Sequence, residues 1–568
     1  MKKLVLILVA LVLMGFGWWN KRALFWFYWS VRNRPPQLEF TEYRTNPLRI
    51  LYVKSPYLSK NIKAIAGRTL ENLAQAEKVT GASLPELTLR VYNDYEEKGA
   101  DAREIAVAHA DPDDNTIYCI VNEHLDGTRE RLEYELLLRA CCGKPYSPER
   151  GRTAAAALGG TWNQKPLEEW RSFLLQRKLY PVPEEAQDTS PFIRIPWNAL
   201  RLQLLRSKYG WDALAAFYSK NIVPAGLDQF WKQAKDPAAQ PPELRQAFRP
   251  VFQKGISYAY DNSYSGGYAT SKSRQSLDLL RKDHVEWIAA IPYGFMRAPD
   301  STSIGTPGHS IFTESDESLF ALSAFARARG MKVMLKPQLW VSHYSWTGMV
   351  DFKDESSWDR WFESYENWLL HYAIVAELTQ ADLLCIGTEL VKTTLTHPDR
   401  WRKMITRIRE VYHGPLVYAA NYGEEFEKLQ FWDALDYIGL DNYYAVRSDA
   451  KQGLDEMKAG FAQQKERVAS VARKWNKPLL FTEIGYHANP GAGMGPKEEE
   501  IDGYDESMQA DCYRLALETY WNEPWFYGMY WWKWFSSSDD VGKDADIHSP
   551  HGRLAEKVMA DWYAKDRD

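Results

Sequence analysis

Cysteine is scarce in this chain, and its charge is not segregated. Five cysteines, Cys119, Cys141, Cys142, Cys385 and Cys512, are spread over 568 residues. The number is odd, the spacing is irregular, and adjacent Cys141 and Cys142 do not make a metal site. A disulfide scaffold is therefore excluded as the organising device. Lys and Arg total 70 against 75 Asp and Glu, a formal net charge of −5, with no basic stripe and no run of like charge. That removes the electrostatic case for nucleic acid as a partner.

The N-terminus lacks a small-x-small cleavage site and a lipobox cysteine. What it has is Lys2-Lys3, an apolar run from Leu4 to Trp19, then Lys21-Arg22 and the Trp-rich stretch Leu24 to Trp29. A basic start and an apolar core form a secretory signal. The run is slightly short for a full bilayer span. Its aromatic continuation suits a membrane interface. The expectation is an uncleaved signal anchor within residues 4–29, giving membrane attachment and an exported chain, periplasmic or at the cell surface. A cleaved signal peptide is the rival. Pro35-Pro36 ends the segment.

Aromatics are abundant: 14% of residues, with 24 Trp and 33 Tyr, more Trp than a core needs. Flat faces with a polar edge suit stacking on sugar rings, although plugs between helices and a barrel account for more than half of them. A chain of 568 residues is too long for one ordinary core. At about 150 residues per domain it allows up to four, but a barrel alone takes roughly 250. The economical division is a segment over 1–36, an α+β accessory domain over 37–250 and a barrel over 251–568. The boundary falls at the linker Asp236-Pro-Ala-Ala-Gln-Pro-Pro242.

In the accessory domain the patterns predict strands over 48–53, 86–92, 104–108 and 116–121. Helices are expected over 61–80, 129–140, 167–177 and 197–218. A mixed sheet, then a helix, then more helices faintly resembles the catalytic domain of gluzincin-type zinc metallopeptidases. There the helix after the sheet carries H-E-x-x-H. Here that stretch is Tyr134-Glu135-Leu136-Leu137-Leu138, with both ligand positions lost, so the resemblance implies a degenerate, peptidase-like domain without zinc. An unrelated accessory domain is the alternative. His109, His124 and Glu135 are read as structural or surface residues.

From 251 onward strand and helix patterns alternate without a break. Strands are expected over 255–259, 285–292, 332–340, 383–389, 415–421, 435–444, 479–483 and 526–532. Helices are expected over 271–282, 316–329, 357–378, 397–412, 454–475, 508–521 and 552–563. Eight strands with seven helices among them, in about 315 residues, match the strand count and size of an α/β (β/α)8 TIM barrel. In that fold chemistry sits at the strand C-termini, and polar residues gather there: Lys336, Gln338, Trp340, Glu389, Asn421, Asp441, Asn442, Tyr443, Glu483, Trp531, Trp532 and Lys533.

Two of these strands are short apolar runs that end in Thr-Glu: 383–389 and 479–483. A carboxylate there is costly to desolvate, and packing does not need it. Glu389 and Glu483, as a matched pair, read as the proton donor and nucleophile of a barrel glycosidase. Two buried glutamates tied up in ion pairs is the bland alternative.

Several motifs in this order carry a resemblance: Ile386-Gly-Thr-Glu-Leu390, Trp401-Arg402 with Tyr418-Ala-Ala-Asn421, Phe431-Trp-Asp-Ala-Leu-Asp-Tyr-Ile-Gly-Leu-Asp441, and Thr482-Glu-Ile-Gly-Tyr486. Together they resemble glycoside hydrolase family 113, of the large clan A of retaining barrel glycosidases, over roughly 255–565. Its characterised activity is endo-β-1,4-mannanase. The resemblance implies Glu389 as general acid/base and Glu483 as nucleophile, acting on a β-linked polysaccharide or oligosaccharide by double displacement. Tyr443 would orient Glu483, and Trp531 or Trp532 would floor the sugar subsite. Lys336, Trp340, Asn421 and Asp441 would bind hydroxyls, although Asp441 could instead partner Lys336. Neither metal nor cofactor is called for. One departure stands out: clan A usually has Asn before the acid/base, and Thr388 stands there, which bears on substrate preference. A non-catalytic barrel that binds glycan or protein is the alternative from another class. An active metallopeptidase conflicts with the missing histidines.

Overall fold

The computed structural model describes residues 37–102, 104, 106–180, 189–220, 248–261, 267–305, 314–342, 345–537 and 539–567. The expected signal anchor and the 236–242 linker lie outside them. Among the described residues no helix is long and apolar enough to cross a membrane.

The first region opens on an antiparallel pair, β1 (Phe40–Thr45) and β2 (Leu48–Val53). Helix α1 (Pro56–Thr80) follows. Ser55 caps it by accepting from the Leu58 amide at 3.1 Å, proline sits in its first turn, and Gly81 ends it at φ 70°. Those are the start and stop signals a helix needs. It buries Leu58, Ile62, Ile65 and Leu73 in a core shared with the strands. β3 (Leu87–Tyr92) and β5 (Thr116–Ile120) run parallel to β2, and β4 (Ala108–Asp111) closes the edge antiparallel to β5. One expectation is corrected here. The segment expected as a strand over 104–108 is preceded by helix α2 (Tyr95–Ala102), and the strand itself starts at Ala108. β1 was not anticipated, because its half-buried, polar sequence shows little alternation.

Helix α3 (Glu133–Cys142) carries the 134–138 stretch, and Tyr134, Leu136, Leu137 and Leu138 are all core. His124 is exposed. His109 stacks on Tyr118 at 4.8 Å, with its Nδ1 2.7 Å from the Lys98 ammonium. The helices α4 (Pro148–Gly159), α5 (Leu167–Gln176) and α6 (Pro191–Lys220) complete the region.

Eight parallel strands then close a barrel in chain order: β6 (Gln253–Ala259), β7 (Trp287–Ala290), β8 (Lys332–Leu335), β9 (Leu383–Thr388), β10 (Leu416–Asn421), β11 (Ile438–Asp441), β12 (Leu479–Ile484) and β13 (Phe526–Phe535). Buried on both faces, they read as apolar runs rather than alternations. Gly439 on β11 has no room for a side chain, since a Cβ would lie 2.2 Å from the Tyr418 carbonyl oxygen.

The single strand expected over 332–340 is two. β8 ends at Leu335, and Gln338–Val341 pairs in parallel with Tyr293–Met296, outside the barrel ladder. Prolines explain this. Pro292 and Pro337 cannot donate to a ladder, so both chains leave the barrel there and resume as a two-stranded ribbon above its mouth.

The helices surround the strands: α7 (Ser271–Lys282), α8 (Asp316–Ala328), α9 (Glu355–Thr379), α10 (Pro398–Val411), α11 (Leu454–Trp475), α12 (Glu506–Tyr520) and α13 (Leu554–Tyr563). α9 buries Trp358, Trp361, Tyr365 and Trp368 at helical spacing. The accessory region packs on this helix. Phe192 of α6 stacks on His371 at 5.6 Å, Ser190 meets the same imidazole at 2.9 Å, and Arg177 pairs with Glu377 at 2.5 Å. One continuous apolar core includes Trp170, Phe192 and Trp197 together with the barrel helices.

Candidate active site

At the C-terminal mouth, side chains from five strands and the ribbon converge. The Glu483 carboxylate, on β12, takes three donors. Its Oε1 accepts from Lys336 Nζ at 2.5 Å and Gln338 Nε2 at 2.8 Å, and its Oε2 accepts from Tyr443 Oη at 2.9 Å. Lys336 follows β8 and is fully buried. It also lies 3.6 Å from Asp441 Oδ1. Asp441 ends β11, where Thr482 Oγ1 donates to it at 2.7 Å. Among the described residues, its other oxygen is buried without a hydrogen-bond partner.

Glu389 follows β9 and adopts φ 51°, an uncommon geometry for a residue with a side chain. Its Oε1 accepts from Asn421 Nδ2 at 2.8 Å, and its Oε2 accepts from Trp346 Nε1 at 2.6 Å. Burial first, then the charge of Glu483, push its carboxyl above the ordinary range, against the pull of Asn421 and Trp346. The Lys336 ammonium is held above its usual value by Asp441 and Glu483 despite complete burial. Asp441 is held well above the carboxylate range by burial and then by Glu483, although Lys336 is near. Two acids therefore share one ammonium, and the closer contact goes to Glu483.

The structure brings Glu389, Glu483, Lys336, Asn421, Asp441 and Tyr443 together. Asp441 proves to partner Lys336 and Thr482 rather than face the open mouth. Trp340 stands exposed on the ribbon, beside Phe295 in register and with its ring edge-on to Tyr293 at 6.1 Å. Trp532 is half-buried at the rim, with the Lys533 ammonium over its ring. Trp531 is a correction. It is fully buried and stacks on Tyr513 of α12 at 3.7 Å, so it belongs to the strand–helix interface and cannot floor a sugar subsite. In a strand buried on both faces, an apolar run does not reveal which residues point inward.

Three residues around the two carboxyls carry no motif that assigns them a role. Gln338 was placed at the rim without a role. Trp346 comes from a loop beyond the ribbon, 43 positions before Glu389, and no spacing rule joins them. Glu425 sits in the helix Glu424–Lys428 and carries no motif. Trp346→Phe gives a directional test. The indole N–H stabilises the ionised form of Glu389, so its removal raises that carboxyl further. The alkaline limb of the kcat/KM–pH profile is then expected to move to higher pH. An unmoved limb would mean that Trp346 does not touch the titrating acid.

Comparison with known proteins agrees with this geometry. The model of Glycoside Hydrolase Family 113 matches residues 256–548. Two solved structures of family 113 β-1,4-mannanases align with TM-score 0.50 at 27% and 28% identity, covering 56% of this chain and 100% of theirs. A β-mannanase of Alicyclobacillus acidocaldarius in complex with ManMIm aligns with TM-score 0.50 at 27% identity, covering 56% of this chain and 99% of its own. No curated protein matches the chain. The family model spans more than half of the 568 residues, and the chain belongs to glycoside hydrolase family 113.

Proposed function

We propose that this glycoside hydrolase cleaves β-1,4-mannan-type glycans with retention of configuration, Glu389 serving as acid/base and Glu483 as nucleophile. The observation that carries this is the unequal setting of the two carboxyls. Glu483 faces an ammonium, an amide and a phenol, all donors suited to an anion. Among the described residues Glu389 has an amide and an indole as donors, and burial together with its charged neighbour favours keeping its proton. Environments that separate two carboxyls in this way assign acid and base roles.

In the first step a Glu483 oxygen attacks the anomeric carbon as the glycosidic bond breaks, and the Glu389 proton passes to the leaving oxygen. In the second, Glu389 takes a proton from water, and that water displaces Glu483 from the sugar. Each step balances without a metal or redox group. Tyr443 orients Glu483, Asn421 orients Glu389, and Trp340 and Trp532 offer faces to sugar rings. The mannan assignment rests on the family and on the named activities of the aligned structures. The N-terminal sequence supports export and attachment to a membrane as the setting.

The test is hydrolysis of a panel of β-glycans by the full chain, with the anomer of the fresh product read by NMR. Release of β-configured product from β-1,4-mannan is expected. An α product would overturn retention, and turnover confined to another β-glycan would overturn the mannan assignment.

A further inference from the structure

Glu425 is a carboxylate buried behind the reacting groups rather than among them. Its residue is 1% exposed, and among the described residues the groups that act on its charge include no cation. A hydrophobe there would avoid the cost of burying an acid. What the acid does instead is accept three hydrogen bonds. Oε1 accepts from Tyr418 Oη and from Thr394 Oγ1, both at 2.7 Å, and Oε2 accepts from the Asn421 amide N–H at 2.7 Å.

Each donor leads back to Glu389. The Tyr418 hydroxyl accepts the N–H of Leu390, the next residue in the chain, at 2.8 Å. Asn421, gripped by its backbone, offers its side-chain amide to Glu389 Oε1. Thr394 lies in the helix Val391–Thr396, which starts two residues after Glu389. Glu389 itself holds a positive φ. Such a backbone persists only where its surroundings over-determine it.

We infer that Glu425 is a positioning residue for the acid/base: through Tyr418 it fixes the backbone beside Glu389, and through Asn421 it fixes the carboxyl. Glutamine at 425 would turn an N–H2 toward a donor, so at least one of the three bonds is lost. Glu389 then rocks away from the leaving oxygen. A misplacement of about 1 Å costs on the order of 100-fold in rate.

This inference rests on the acid/base role proposed for Glu389. The experiment compares the full chain with Glu425→Gln, Tyr418→Phe and Glu389→Gln, reading kcat/KM on two substrates that share a glycone, the one that the panel above identifies. One carries a sugar as leaving group and needs protonation. The other carries 2,4-dinitrophenolate and does not. Glu425→Gln and Tyr418→Phe are expected to lose on the order of 100-fold on the first and to stay within about threefold on the second, because the general acid is idle there. Glu389→Gln shows the same split more deeply. Equal losses on both substrates would mark Glu425 as merely structural and overturn the inference, as would an unchanged first substrate beside a collapsed Glu389→Gln. If Glu425→Gln does not fold, Tyr418→Phe decides by the same split. Full activity of Glu389→Gln on both substrates would sink the acid/base role and this inference with it.

Discussion

Glu483→Gln is expected to bring turnover to background on every substrate, whatever its leaving group. The isostere keeps the shape and loses the negative charge that makes the carboxylate a nucleophile, so no covalent intermediate forms. A lost proton donor costs about 10² to 10⁴ in rate, and the loss here exceeds that range. Glu389→Gln behaves differently. It loses the proton needed by a sugar leaving group, within that same 10² to 10⁴ range, yet a dinitrophenyl glycoside still glycosylates Glu483. The base for the second step is then missing, so the glycosyl-enzyme accumulates. Intact-protein mass spectrometry should show added glycosyl mass on Glu389→Gln and none on Glu483→Gln. If adduct formed on Glu483→Gln, the nucleophile would lie elsewhere. If neither substitution slowed turnover, the two-carboxylate mechanism would be wrong.

The barrel was legible because each of its signals is local. The helix expected over 454–475 is found at Leu454–Trp475, and the eight strands fall where apolar runs end in polar residues. Glu389 and Glu483 were visible for the same reason: an acid at the end of a buried strand has no packing use. The losses occurred where a fact is not local. Trp531 was misplaced because an all-apolar strand hides the phase of its pleat, and only Tyr513 on the neighbouring helix decides it. The ribbon above the mouth was merged into β8, although Pro337 carried the signal for a break. Trp346 and Glu425 reach Glu389 through loops and a short helix whose approach is set by the closed barrel. No periodicity links Trp346 to a carboxylate 43 residues away. The accessory region shows the same limit. Its sheet was largely readable from β-branched runs, but the stacking of Phe192 on His371 joins residues 179 apart (371 − 192).

Lys336→Met should be the most costly change to stability among the mouth residues. The ammonium is fully enclosed, 2.5 Å from Glu483 and 3.6 Å from Asp441. Methionine keeps most of the stem volume and removes the cation that, among the described residues, those two acids share. Breaking a buried pair by deleting one partner costs roughly 3–5 kcal/mol, because an uncompensated charge stays behind. A lower midpoint of thermal unfolding and loss of turnover are both expected, since the attacking carboxylate no longer faces a positive charge. Asp441→Asn separates the two effects. Asp441 Oδ1 accepts from Thr482 at 2.7 Å and lies 3.6 Å from the ammonium, and an amide oxygen of the same shape can keep both contacts, so the change is expected to cost no more than about 1 kcal/mol, the net worth of one ordinary hydrogen bond. Added to Lys336→Met, it removes one of the two stranded acids and should restore part of the midpoint. It should not restore turnover, because Glu483 still lacks its ammonium. A Lys336→Met protein with an unchanged midpoint and normal kcat would show that the ammonium neither holds the barrel mouth together nor serves the nucleophile.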